Sequence, residues 1–471
     1  MFLCREEELQ KMNRRYDGDA LECIIVYGRR RVGKTALINE FVKDKPTIYF
    51  PALKASAQDN LAALSKAIYE YLHPGAMESL IYGSFDAAFS EITRIAATKR
   101  VVFVIDELPY LVNADSSIPS RLQHLLDRDW ANSGLYLILC GSSMSFMEKE
   151  VLGEKSPLFG RRTAQFRIEP LTYLDTSRFH PELSAADNAL IYGITGGVPH
   201  YINKLNVRGD IREALLDNLF DTSAYLFEEP DNLLRQELRE PALYNSIIAA
   251  IANGASRVHE IATRAGIDNP TCSKYLKSLS ELGIVRKIEP IVDKSNKKKS
   301  YRIVDNFFRF WYRFVPGNLT AICSGGIARS YDAVVGTYLP SYMGLVFESI
   351  CRQYLLRYAE NLSIPIGDIG EWWGTLPTTR KEAQLDIVAL ATKADNEPAG
   401  RRFIIGSCKY TANPVGLEEL DLIRNYATAF TNANDECFYY LFSKSGFTSS
   451  LLKEQDSGRA TLVTLEDVYR R

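Results

Sequence analysis

Eight consecutive residues, Gly28-Arg29-Arg30-Arg31-Val32-Gly33-Lys34-Thr35, have the types and spacing needed to cradle a phosphate chain. The apolar run Cys23-Ile24-Ile25-Val26-Tyr27 precedes them, and the helix-like run Ala36–Val42 follows. A strand, a glycine loop and a helix start in that order turn backbone N–H groups and the positive end of a helix dipole toward an anion. Lys34 reaches the β- and γ-phosphates in such a loop, and Thr35 sets its hydroxyl on Mg²⁺. A second constellation closes the run Val101–Ile105, where Asp106 and Glu107 stand at the end of an apolar, strand-like segment. Beside a phosphate loop, the first acid holds the metal and the second activates the attacking water, which assigns Mg²⁺ to Thr35 and Asp106 and general-base work to Glu107. The ligands implied are ATP and Mg²⁺.

Other candidates are less determined. Gly141-Ser142-Ser143 ends the apolar run Leu135–Cys140, and Ser142 either senses the γ-phosphate or caps the next helix. Arg161 and Arg162 either reach a nucleotide, in cis or from a neighbouring subunit, or are surface arginines. His200, beside the turn Thr195–Pro199, reads as structural. Further along, a helical pattern over 334–359 carries Glu348, the strand-like run Leu385–Leu390 carries Asp386, and the run Phe403–Tyr410 carries Lys409.

The elements that position these residues follow from hydrophobic periodicity. Residues 2–16 read as an amphipathic helix, 47–52 as a strand, 58–72 and 85–98 as helices, 121–130 as a helix and 165–171 as a last strand. Strands alternating with helices from 23 to 171 predict a three-layer α/β domain with a parallel sheet. Three helical runs, at 244–253, 256–265 and 269–282, then two short strands, at 284–288 and 301–304, predict a winged helix-turn-helix, similar to DNA-binding domains of that type. Its third helix carries Lys274 and Lys277, and its hairpin tip carries Lys294, Lys297, Lys298 and Lys299, with Arg302 beyond. The patch is local, since 471 residues carry a net charge of -2 and give no global attraction to nucleic acid or membrane. The aromatic run Asp305–Phe314 reads as packing between domains more readily than as a base-stacking platform. Eight scattered cysteines without a Cys-x-x-Cys pair argue against zinc and for buried thiols in a reducing cytoplasm. No apolar run reaches membrane-spanning length.

Taken in order, VYGRRRVGKTALI, VVFVIDELPYL, LILCGSS, SPLFGRR and TGGVPHY resemble the archaeal and bacterial ATPases of the STAND branch of the AAA+ superfamily. The opening FLCREEEL resembles that family's first motif, which lies near the nucleotide. The resemblance covers about residues 1–230 and implies a RecA-like five-stranded core, a small helical lid and an ATP-operated switch. Glu348, Asp386 and Lys409 resemble the PD-(D/E)xK nuclease core, in which the acids bind Mg²⁺ and the lysine orients or activates water. The C-terminal region, including CKYTANPVG and FYYLFSKSGFT, looks like the uncharacterised domain that often follows this ATPase type. One position departs from the nuclease pattern: Ser407 stands where it has an acid or glutamine, two residues before the lysine.

The expected fold class is α/β throughout: a P-loop ATPase core over 1–180, a helical lid over 181–235, a winged helix over 236–315 and a restriction-endonuclease-like α/β domain over 316–471. Three functions remain open. They are a DNA-associated ATPase switch, an ATP-regulated Mg²⁺-dependent nuclease, and a slow ATP-binding scaffold that binds a protein partner or itself.

Overall fold

A computed structural model describes residues 2–75, 80–292, 299–357, 365–377, 379–391 and 400–470. The chain divides into two compact units, Met1–Leu171 with Val198–His200, and Thr172–Gly197 with Tyr201–Arg471.

The first unit is built on β1 (Glu22–Tyr27), β2 (Thr47–Pro51), β3 (Val101–Asp106), β4 (Leu135–Gly141) and β5 (Ala164–Arg167). They form one sheet in the order β2-β3-β4-β1-β5, with every neighbouring pair parallel. The strands β1, β3 and β4 are apolar because both faces are covered. Ile25, Phe103 and Leu137 enter one core, and Ile24, Val104 and Ile138 enter the other. Parallel pairing brings the segments after β1, β3 and β4 out at one edge of the sheet, where such folds bind ligands.

Several boundaries here differ from the periodicity. The helix expected over 121–130 is a helix, Ile118–His124, followed by a π turn, Leu125–Asp129. The first helix starts at Glu6, not at residue 2, because Arg5 takes φ 110° and turns its guanidinium to the Val32 and Glu169 carbonyls. The last strand ends at Arg167; Ile168 N–H still bonds to Tyr27 O at 2.7 Å, but Pro170 then has no donor to continue the ladder.

In the second unit, Gly196 and Gly197 (φ 62° and 71°) end the helix Ala185–Thr195. The helices Pro241–Ala252, Val258–Ala265 and Asn269–Glu281 precede a two-stranded antiparallel wing, β6 (Val285–Ile288) and β7 (Ser300–Ile303). The aromatic helix Asn306–Phe314 is a packing element: Phe307, Phe308, Phe310 and Phe314 are buried, and Asn306 Nδ2 donates to Tyr192 O. A second sheet contains β8 (Ile366–Thr375), β9 (Glu382–Ala391), β10 (Arg402–Lys409), β11 (Glu436–Ser443) and β12 (Thr461–Thr464). Its order is β12-β11-β10-β9-β8, antiparallel from β8 to β10 and parallel from β10 to β12. The single helix expected over 334–359 is instead a π turn, Asp332–Gly336, and a helix, Leu339–Arg357, with Pro340 in its first turn; residues 358 and 359 lie outside the described ones. Among the described residues, no helix is long and apolar enough to cross a membrane.

Candidate functional site

The loop after β1 folds around its own lysine. Lys34 Nζ donates to Gly28 O at 2.9 Å and Arg29 O at 3.0 Å, and the side chain is only 6% exposed. A Cβ on Gly28 would collide with the Ile168 carbonyl, so the close approach of β5 requires glycine there. Gly33 caps the helix Lys34–Val42 at φ 95°, a conformation glycine adopts without steric cost. Arg31 also lies in the left-handed region, at φ 72°, and buried Val32 anchors the loop in the core. Arg30 Nη2 donates to Tyr110 OH at 2.7 Å, tying the loop to the helix that follows Glu107.

The two hydroxyls expected and unexpected at the metal position meet on one oxygen. Thr35 Oγ1 donates to Asp106 Oδ2 at 3.2 Å, and Tyr49 OH, from the neighbouring β2, donates to the same oxygen at 2.7 Å. Burial and the Asp106 charge push the Tyr49 phenol far above its ordinary range. The Glu107 N–H donates to the other carboxylate oxygen at 3.0 Å. Glu107 itself sits at φ 56°, ψ 48°, a backbone state that side-chain-bearing residues hold only where the surroundings enforce it. Its Oε2 accepts from Ser142 N at 3.2 Å and from Ser142 Oγ at 2.9 Å. Of the two readings of Ser142, the contact made is to Glu107; the short helix beyond has Ser143 at its N-cap position.

Lys34, Thr35, Asp106 and Glu107 are thus brought to one edge of the sheet, and Arg5 reaches the same loop at Val32 O. Arg161 has a different commitment. Its Nε and Nη2 pair with Asp127 at 2.8 Å each, and its Nη1 donates to the Pro157 and Phe159 carbonyls. A nucleotide contact from Arg161 requires that bidentate pair to open. Arg162 stands near enough to Tyr27 to act on its phenol, whose main displacement, upward, comes from burial. A lysine held inside a glycine loop, beside a hydroxyl and a carboxylate of hard oxygen, fits a nucleotide triphosphate with Mg²⁺.

In the winged helix, Lys274 and Lys277 lie on the exposed side of the third helix. The expected basic wing is corrected in part. Lys299 pairs with Glu289 at 3.2 Å, and Arg302 Nη1 pairs with Glu371 Oε2 at 2.6 Å, so buried Glu371 of strand β8 engages the Arg302 guanidinium, which stays partly exposed. Lys294, Lys297 and Lys298 lie outside the described residues.

The C-terminal candidates converge as well. Burial, with Asp386 and Glu371 nearby, pushes the Glu348 carboxyl up to about 8, against the pull of Arg352. Burial also raises Asp386, opposed by the Cys408 N–H, which donates to its Oδ2 at 2.8 Å, and by Lys409. Glu419 and Glu371 were missed by the sequence reading. Ser407 Oγ donates to Glu419 Oε1 at 2.7 Å, and Lys409 Nζ pairs with the same oxygen at 3.1 Å. The helix Leu417–Ala427 thereby delivers a carboxylate beside Ser407. Among the described residues, no group of three or more His, Cys, Asp or Glu side chains is placed to hold a metal ion.

Comparisons with known proteins agree with this architecture. A family described as "ATPase domain predominantly from Archaea" matches residues 2–205. An IclR helix-turn-helix domain matches 246–289, and a family described as "Archaea bacterial proteins of unknown function" matches 311–420. The uncharacterized protein MJECL04 of Methanocaldococcus jannaschii is 30% identical over 393 residues, covering 83% of this chain and 84% of that protein. The uncharacterized ATP-binding protein MJ0423 of the same organism is 49% identical over 45 residues, 10% of this chain and 76% of that one. Among solved structures, the Walker-type ATPase PABY2304 of Pyrococcus abyssi shares the fold, with a TM-score of 0.52 at 19% identity over 66% of this chain and 96% of that chain.

Proposed function

The chain belongs to one family with the uncharacterized protein MJECL04 of Methanocaldococcus jannaschii and carries a P-loop ATPase domain of a predominantly archaeal type, and from that premise we propose that it is a DNA-associated, nucleotide-operated switch. The observation that carries the reading is the meeting of Thr35 and Asp106, 3.2 Å apart, beside a loop that encloses Lys34. In this reading Lys34 leaves the Gly28 and Arg29 carbonyls to neutralise the phosphates, and the loop N–H groups hold them. Thr35 and Asp106 would hold Mg²⁺, which when bound would supply charge neutralisation to the phosphates. Glu107, oriented by Ser142, takes the proton of the attacking water.

The DNA part of the proposal is supported by the helix-turn-helix family match and by the exposed Lys274 and Lys277. Helix in the major groove with lysines on phosphate is the docking such a domain favours. The nuclease alternative has the Asp386, Lys409 and Glu419 neighbourhood in its favour and Ser407 against it, since serine is a poor ligand for a hard divalent cation.

ATP turnover measured with and without duplex DNA, with the DNA followed for cleavage, tests all three. The switch reading expects Mg²⁺-dependent turnover, intact DNA, and duplex binding that weakens in the Lys274→Ala, Lys277→Ala double variant with a shallower salt dependence. Cleavage lost in Lys409→Ala would transfer the function to the nuclease. Very slow turnover with no DNA binding at modest salt would transfer it to the scaffold.

A further inference from the structure

Within the second unit a cavity of about 690 Å³ opens between the winged helix, the strands β8 to β10 and the helix Leu417–Ala427. That volume lies in the range of small-molecule sites. Its walls are chemically sorted. The winged-helix side carries cations, namely Arg257, Lys299 and Arg302. The opposite side carries oxygen acceptors, namely Asp386, Ser407 and Glu419, with Lys409 among them. Two aromatic side chains, Trp373 and Tyr426, also line the space. The Arg302 guanidinium lies 5.8 Å from the centre of the Trp373 ring, so charge and π-face are presented together. Arg302 is fixed in that place by Glu371, and that ion pair uses Nη1 of a group with five donors.

A ligand matching these walls has an anionic end, a flat aromatic body and hydroxyl or amino donors. We propose that this cavity is a second nucleotide site, separate from the phosphate loop, and that its ligand is a nucleoside phosphate, either free or as the end of a single strand. The phosphate meets Arg257, Lys299 and Arg302 through charge-assisted hydrogen bonds. The base stacks on Trp373, as bases do on aromatic platforms in single-strand binders. The sugar or base donors turn to Asp386 and Glu419.

The test uses the full-length chain with Lys34→Ala, so that the phosphate loop is disabled, in the presence of a chelator. Isothermal titration compares AMP, 5′-phosphorylated thymidine dinucleotide and inorganic phosphate. One equivalent of AMP or dinucleotide binds, and inorganic phosphate binds much more weakly. Trp373→Leu weakens the nucleotides about tenfold and leaves phosphate unchanged. Arg257→Ala, at an exposed position, weakens the nucleotides and phosphate alike. Equal affinity for AMP and dinucleotide assigns a free nucleotide; tighter dinucleotide binding assigns a strand end. No binding of either nucleotide to the Lys34→Ala chain, or inorganic phosphate binding as tightly as AMP, overturns the proposal. Nucleotide affinity that neither Trp373→Leu nor Arg257→Ala alters overturns it too. ATP affinity retained by Lys34→Ala and lost in Trp373→Leu would instead count against the phosphate loop, so the two sites fail separately.

Discussion

Ser142 donates twice to Glu107 Oε2, from its backbone N–H at 3.2 Å and from its hydroxyl at 2.9 Å. The residue at the end of β4 therefore sets the direction of a carboxylate at the end of β3. The first bond belongs to the backbone and survives substitution; the second does not. We predict that Ser142→Ala lowers kcat for ATP about tenfold with ATP affinity unchanged, because only the orientation of the base is loosened. Steady-state turnover beside equilibrium binding checks this. A rise in kcat would mean that Ser142 restrains Glu107 in place of aiming it.

Tyr49 gives a second handle on the same site. It supplies one of two hydroxyls on Asp106 Oδ2, and Thr35 supplies the other. Tyr49→Phe keeps the ring and removes the tether, so the Mg²⁺ concentration for half-maximal turnover should rise about two- to tenfold, the worth of one hydrogen bond. An unchanged Mg²⁺ dependence would confine Tyr49 to packing.

Glu348 makes a prediction about pH. Its carboxyl is pushed from the ordinary 4.5 up to about 8 in the folded chain, chiefly by burial. Between those values the folded chain holds a proton that the unfolded chain has released. The stability it contributes is therefore whole at low pH and is lost as pH rises toward 8. Glu348→Gln should flatten the fall in stability between about pH 4.5 and about pH 8, by up to about 1.4 kcal/mol per pH unit, and the matching fall in Tm with it. Thermal melts of the two chains across that range decide it; parallel curves would rule out a buried, protonated Glu348.

The phosphate loop and Asp106 were legible because their signals are local. A glycine pair at fixed spacing and an acid ending an apolar strand fix chemistry within a few residues. Ser142 was legible as a position, not as a partner, since its contact to Glu107 crosses between strands 35 residues apart. Glu419 was invisible for the same kind of reason: it lies on a helix, and only folding sets it against Ser407 and Lys409. Arg302 read as part of a basic wing because a charge in a sequence shows no partner, and its partner Glu371 is 69 residues away. The start of the first helix was misjudged because apolar periodicity does not register the left-handed backbone of Arg5.

Titration of Mg·ATP into the intact chain and into Lys34→Ala tests the central claim most directly. The account predicts tight, Mg²⁺-dependent binding to the intact chain and a loss of about 100-fold in Lys34→Ala, the scale of two charge-assisted contacts. Equal affinity for the two chains would contradict it, because Lys34 is held inside the loop by the loop's own Gly28 and Arg29 carbonyls.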